Sequence, residues 1–297
     1  MIKPETLDFP PLHCATDPTL GDYYQDLSHA ITLIESNYYV GKGRYCGGCD
    51  SRGIPMVEID GQGAFPLAVT TAQYALANIT AFRRGDGERG PRARNQLDWL
   101  VGTQEREGDW AGCWLIRYDN PKYGWLRTPW TGALSSGNAI SALLRGWELF
   151  GQEDYRASAE AAYSALHTHR EHGQLFDEAR GELWYEEYPA NPAIHVLNGH
   201  IYTLLGVLDY ARVSGDSQAE QRWRRAAATA LAHLDEFDLG YWSAYDMRWR
   251  EPAGVHYQKN VHVPQLRILA RLTEDERFAV VADRWERYLE SRLCRAR

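Results

Sequence analysis

Residues 135–170 read SSGNAISALLRGWELF-GQED-YRASAEAAYSALHTHR, and this stretch decides the fold. Helical periodicity fills 135–150 and 154–170, and the polar turn Gly151-Gln152-Glu153-Asp154 joins them. So short a connection forces the two helices antiparallel, as an αα-hairpin. Working outward, the same periodicity predicts helices near 66–84, 92–105, 197–214, 217–235, 262–272 and 275–292. A second tight turn, Ser214-Gly215-Asp216-Ser217, joins one such pair.

Between hairpins lie three longer aromatic segments, 106–132, 171–195 and 236–260. Each carries a glycine shortly before a tryptophan: Gly108-Asp109-Trp110, Gly181-Glu182-Leu183-Trp184 and Gly240-Tyr241-Trp242. The unit is thus a hairpin followed by an aromatic loop, repeating every ~65 residues. One hairpin cannot bury its apolar face alone, so about four should pack side by side. Closing the array into an α/α toroid removes exposed ends and gathers the long loops at one mouth. The expected fold is therefore mainly α: an incomplete α/α barrel over 66–297, carrying the chemistry. A segment 1–65 packs on it, with a helix near 22–37 and a Gly-rich hairpin within 40–65. Gly61-Gln62-Gly63-Ala64-Phe65-Pro66 runs into the first barrel helix and brings Gln62 to the mouth.

Composition narrows the partners. The chain has 297 residues with 18 Tyr and 11 Trp against 7 Phe, an excess of aromatics with a polar handle that can stack on a sugar ring. A net charge of -8 argues against nucleic acid as the main partner. The basic run Arg83-Arg84…Arg94 reads as a solvated loop and helix start, with contact to an anionic polymer as the alternative. No run approaches the roughly 18 apolar residues of a membrane span, and Met1-Ile2-Lys3-Pro4-Glu5 leads into no apolar signal core. The expectation is a soluble chain, with its compartment left open. Cys46-Gly47-Gly48-Cys49 has metal-ligand spacing without a second such pair, so a disulfide or idle thiols compete with zinc, and no metal site is assigned.

The chemistry-bearing residues fall in the mouth loops: Trp184-Tyr185-Glu186-Glu187-Tyr188-Pro189, Tyr245-Asp246-Met247-Arg248-Trp249 and His256-Tyr257. A phenol is a poor base in water, with a pKa of about 10, but a fixed cation favours its phenolate. Arg248 can neutralise a substrate carboxylate whose neighbouring carbon loses a proton. Tyr188, Tyr245 and Tyr257 supply enough phenols for a base on one face and an acid on the other, and Glu187 can take a proton from a tyrosine or hold a sugar hydroxyl. The bland alternatives are that Tyr188 wedges under the Pro189 turn and that Arg248 pairs at the surface with Asp246 or Glu251. Gln62, Gln73, Trp110, Trp130, Asn138, Trp184, Asn198, Trp242 and His262 are the candidate substrate-binding residues.

The Trp-Tyr-Glu-Glu-Tyr-Pro stretch followed by Val196-Leu197-Asn198-Gly199 resembles the C-terminal domain of the D-glucuronyl C5-epimerases. So do Tyr245-Asp-Met-Arg248 and His256-Tyr257 leading to His262…Gln265-Leu266. Weaker similarity lies in Gly53-Ile54-Pro55, in Phe65-Pro66…Ala72-Gln73-Tyr74 and in Ser136–Ser141, with the order kept over roughly residues 50–292. The resemblance implies an α/α barrel with Glu187, Tyr188, Tyr245, Arg248 and Tyr257 at its active site. It also implies that the tyrosines exchange the C5 proton while the arginine holds the uronate carboxylate. The chain departs from the family in its short N-terminal segment and in one extra residue between Tyr257 and His262. The implied activity converts D-glucuronate to L-iduronate in a heparosan-like acidic polysaccharide, without a cofactor. A homodimer is compatible with this reading. A polysaccharide lyase would share the first step. A glycoside hydrolase would pair Glu187 with Asp246 or Asp119, and a carbohydrate-binding module would use the aromatic mouth alone.

Overall fold

A left-handed glycine stops two of the long helices. Gly151 (φ +67°) and Gly215 (φ +69°) each adopt a conformation that costs a side-chain-bearing residue steric strain, and each donates its N–H back into the last turn, to Trp147 and Ala211. The chain then reverses within two residues, and Asp216 caps the next helix by accepting from the Gln218 N–H at 2.8 Å. These stops set the hairpin geometry expected from the sequence.

The computed structural model describes residues 31, 34–35, 39–40, 43–44, 48–170, 173–179 and 181–295. Two antiparallel hairpins come first, β1 (Tyr39–Val40) with β2 (Gly43–Arg44) and β3 (Met56–Ile59) with β4 (Gly63–Pro66). Four helical hairpins follow. The first pairs α1 (Ala68–Arg83) with α2 (Arg89–Thr103), and the second α3 (Ala133–Phe150) with α4 (Glu153–Leu166). After a short ribbon of β5 (Phe176–Asp177) and β6 (Trp184–Tyr185) comes the third, α5 (Leu197–Ser214) with α6 (Ser217–His233). The fourth opens with α7 (Val255–Tyr257), widens through Gln258–His262, and continues as α8 (Val263–Thr273) and α9 (Glu276–Arg295). The helix expected near 22–37 falls mostly outside the described residues.

Helices α1, α3 and α5 lie side by side, each backed by its hairpin partner, and the turn at 258–262 reaches α5. The inner helices α3 and α5 are buried almost all round, whereas α6 and α9 bury one stripe. This is an α/α toroid. A buried ion pair ties its inner wall: the Arg145 guanidinium on α3 grips the Asp209 carboxylate on α5, with both side chains nearly inaccessible. Arg145 also donates to the Ser141 carbonyl at 3.0 Å. Asp209→Ala should therefore cost about 3–5 kcal/mol in chemical denaturation, because it strands a buried cation.

Two helices differ from their sequence-based bounds for identifiable reasons. Helix α4 ends at Leu166 rather than 170 because Arg170 folds back and donates to the Ala165 and Thr168 carbonyls, at 2.9 and 3.3 Å. The last inner helix begins at Val255, not 262, because it absorbs a π turn: the Val263 N–H bonds the Gln258 carbonyl, five residues back. That turn lies between Tyr257 and Val263.

Candidate active site

Glu187 follows β6 and enters the helical wall through a space that two glycines leave open. A Cβ at Gly132 would lie 2.0 Å from the Glu187 carbonyl oxygen, and one at Gly199 would lie 2.5 Å from its carboxylate. Glu186, one residue earlier, points the other way and accepts from the His195 N–H and Nδ1. The buried Glu187 carboxylate accepts from Asn198 Nδ2 on α5 and from the Tyr245 hydroxyl, each at 3.1 Å.

Tyr245 is delivered by a pinned turn. Its N–H bonds the Glu251 carbonyl, its carbonyl accepts from the Leu197 N–H, and the Met247 N–H bonds the His195 carbonyl. The Asp246 carboxylate accepts from the Trp249 N–H at 2.7 Å and closes the turn. The Tyr188 and Tyr245 hydroxyls are 3.2 Å apart and both phenols also hydrogen-bond the Glu187 carboxylate, so the three side chains form one hydrogen-bonded cluster. Tyr257, half-buried at the start of the π turn, meets the Tyr245 ring edge-on with centroids 5.4 Å apart.

Burial pushes the Glu187 carboxyl up to about 7, although hydrogen bonds from Tyr188, Tyr245 and Asn198 and the charge of Lys122 pull the other way. Burial, then the Glu187 charge, raises the Tyr188 and Tyr245 phenols well above 10. The site therefore rests with neutral phenols beside a carboxyl that changes charge near neutrality.

Other expected site residues land elsewhere. Arg248 is exposed at the rim, donating to the Pro192 carbonyl at 2.7 Å with its guanidinium 5.1 Å from the Trp249 ring centre. It makes neither surface ion pair that the sequence allowed: the Asp246 side chain is buried under the Trp249 N–H, and Glu251 pairs with Lys122. Trp130 is buried, but its ring lies 5.9 Å from Tyr188 and forms part of the floor. Trp184 and Trp242 are not sugar platforms. Trp184 stacks on His200 at 4.0 Å inside the core, and Trp242 is buried with its indole N–H on the Ala253 carbonyl. Trp110 packs against Gly173 and under the Arg170 guanidinium.

His262 is wholly buried behind Tyr257, its Nδ1 2.9 Å from the Ser243 hydroxyl, and burial lowers its pKa to about 3, so it stays neutral. Asn138 donates to the Leu134 carbonyl within α3, and Gln73 is half-buried on α1. Gln62 clamps both backbone groups of Asp119, each at 2.9 Å, and so braces the loop after Cys113.

That loop supplies what sequence reasoning missed. Asn120 accepts from the Lys122 and Tyr123 N–H groups, both at 2.9 Å, and fixes the two side chains. Tyr123 meets Tyr188 edge-on at 4.8 Å, stacks on Trp249 at 5.3 Å and tilts against Trp125 at 5.7 Å. Trp125 and Trp249 remain about half exposed, giving an aromatic ledge beside the tyrosines. The Lys122 ammonium sits 4.3 Å from the centre of the Tyr245 ring. Adjacent glycine and tryptophan at 124–125 were the available signal for the ledge.

Among the described residues no group of three or more His, Cys, Asp or Glu could hold a metal ion, and no helix is long and apolar enough to cross a membrane. Cys46 lies outside them, and Cys49 is an exposed free thiol.

D-glucuronyl C5-epimerase of Caenorhabditis elegans is 28% identical over 209 residues, 60% of this chain and 34% of that protein. An uncharacterized protein of Methanocaldococcus jannaschii is 27% identical over 176 residues, 58% of this chain and 56% of its own length. The chain thus spans between a third and little more than half of these curated relatives. Among solved structures, D-mannose isomerase superposes with a TM-score of 0.53 at 12% identity, over 95% of this chain and 70% of that one, a likeness of fold. The family described as D-glucuronyl C5-epimerase C-terminus matches residues 104–287, more than half the chain and all of the tyrosine loops. The chain belongs to that family.

Proposed function

We propose that the chain inverts C5 of D-glucuronate residues to L-iduronate in a heparosan-like polysaccharide. The observation that supports this most is the cluster of Tyr188, Tyr245 and Glu187, which joins two phenols to a carboxylate able to take a proton near neutral pH. Tyr245 passes its hydroxyl proton to the Glu187 carboxylate, and the resulting phenolate removes the C5 proton. The electron pair left at C5 delocalises into the uronate carboxylate, and Arg248, drawn from the Pro192 carbonyl, neutralises the second negative charge. Tyr257 meets the Tyr245 ring edge-on, and it returns a proton to the opposite face. The exposed faces of Trp125 and Trp249 hold neighbouring sugars by stacking.

Incubation with unsulfated heparosan in heavy water tests this. Deuterium should enter at C5 while chain length is unchanged. Short chains bearing an ultraviolet-absorbing double bond would mean β-elimination, new reducing ends would mean hydrolysis, and binding without either would mean a non-catalytic module.

A further inference from the structure

We infer that Lys122 is a positioning residue of this site: its ammonium, held by Glu251 and seated on the Tyr245 ring, stabilises the phenolate formed when the Tyr245 proton passes to Glu187. The inference rests on the epimerase reading above, but its physical core is independent of the substrate.

The placement is built rather than incidental. The Lys122 ammonium lies 4.3 Å from the Tyr245 ring centre, 5.1 Å from that of Tyr123, and 3.0 Å from a Glu251 carboxylate oxygen. Its backbone N–H is held by Asn120, and the loop is braced by the two Gln62 bonds to Asp119. Tyr245 is fixed from its own side, where its N–H bonds the Glu251 carbonyl. One residue, Glu251, therefore anchors the cation through its side chain and the phenol through its backbone.

The energetics favour a role in the reaction over one at rest. A neutral phenol offers a cation only the quadrupole of its ring, whereas a phenolate adds a full negative charge at the same place. The attraction therefore grows as the proton leaves, which is the condition for an interaction to lower a barrier. Lys122 also favours the Glu187 carboxylate, but as the weakest of the influences that lower its pKa. The pair holds one negative charge, on Glu187 before transfer and on Tyr245 after it, and the ammonium rests on the Tyr245 ring. The other groups facing this charge are the Tyr188 and Tyr257 phenols, with Asp246 and Glu251 acting on Tyr123. Arg248 is committed to Pro192 and Trp249, so the two cations have separate places: Arg248 at the rim and Lys122 on the ring.

Two measurements on the full chain test this. Carbon NMR of labelled glutamate carboxyls in the free protein should show Glu187 titrating near pH 7, and at higher pH in Lys122→Met. C5 deuterium exchange on heparosan should lose about tenfold or more in kcat in Lys122→Met, with KM within about twofold, and Lys122→Arg should recover most of it. A rise in KM at unchanged kcat would make Lys122 a substrate ligand and overturn the inference. So would a lowered Tm with Glu187 titration and kcat both unchanged. If the wild-type protein exchanges no deuterium, the epimerase reading falls, while the Glu187 titration still decides whether Lys122 acts on this pair.

Discussion

Tyr245→Phe should lower C5 hydrogen exchange by about 10³-fold while the protein stays folded. The hydroxyl belongs to the hydrogen-bonded cluster, donating to Glu187 and lying within hydrogen-bond reach of Tyr188. Phenylalanine keeps the ring, and with it the edge-on contact to Tyr257 and the face on which Lys122 rests. What disappears is the atom that would carry the proton. Glu187 also loses a donor, so its carboxyl should titrate at still higher pH. Exchange measured by NMR beside a thermal melt separates the two effects. Retention of activity within tenfold would transfer the base role to Tyr188.

Glu187→Gln should have an effect nearly as large, and one that depends on pH. If ionised Glu187 takes the tyrosine proton, wild-type kcat should rise with pH through about 7 and then level off. Glutamine cannot accept that proton, so the variant should lose this limb along with most of its turnover. Stability should move in the opposite sense. The folded-state pKa of Glu187 lies above its ordinary value near 4.5, so between those two pH values the native state binds more protons than the unfolded chain. The stabilisation associated with the bound proton is complete below about 4.5 and is lost as pH rises through about 7. Glu187→Gln keeps a neutral group throughout. Relative to wild type it should gain stability with rising pH, on the order of 3 kcal/mol above pH 7. Denaturant unfolding at pH 5 and pH 8 reads that difference.

The hairpins were legible because periodicity and turn glycines are local: Gly151 and Gly215 stop their helices for reasons contained in a few residues. Tyr188 and Tyr245 were expected on loops and meet there, whereas Tyr257, expected in the last loop, ends the short helix α7. The aromatic ledge was not, and the reason is physical. The tryptophans that follow a glycine in every repeat, Trp110, Trp184 and Trp242, do the same structural task each time by filling the base of a loop. Trp125 follows Gly124 without a counterpart in the other two loops, Trp249 follows no nearby glycine, and both remain exposed. A repeat in sequence thus marked what the scaffold needs three times over. Arg248 stands three residues from Tyr245, but sequence proximity carries no direction. The turn closed by Asp246 sends its neighbour Tyr245 inward and Arg248 to the rim. Lys122 was invisible for the same reason, since its meeting with Tyr245 spans more than a hundred residues and depends on a turn closed by Asn120.

The wide turn at 258–262 uncouples what stands on either side of it. In a regular α-helix each residue turns the chain by about 100°, so Tyr257 and the apolar stripe of α8 would be locked in one phase. One surplus residue breaks that lock. Below it, Leu266 and Leu269 keep their grip on the toroid wall, and above it the phenol is aimed on its own terms. The direction of the Tyr257 phenol and the seating of the last hairpin are thereby set by separate parts of one continuous coil.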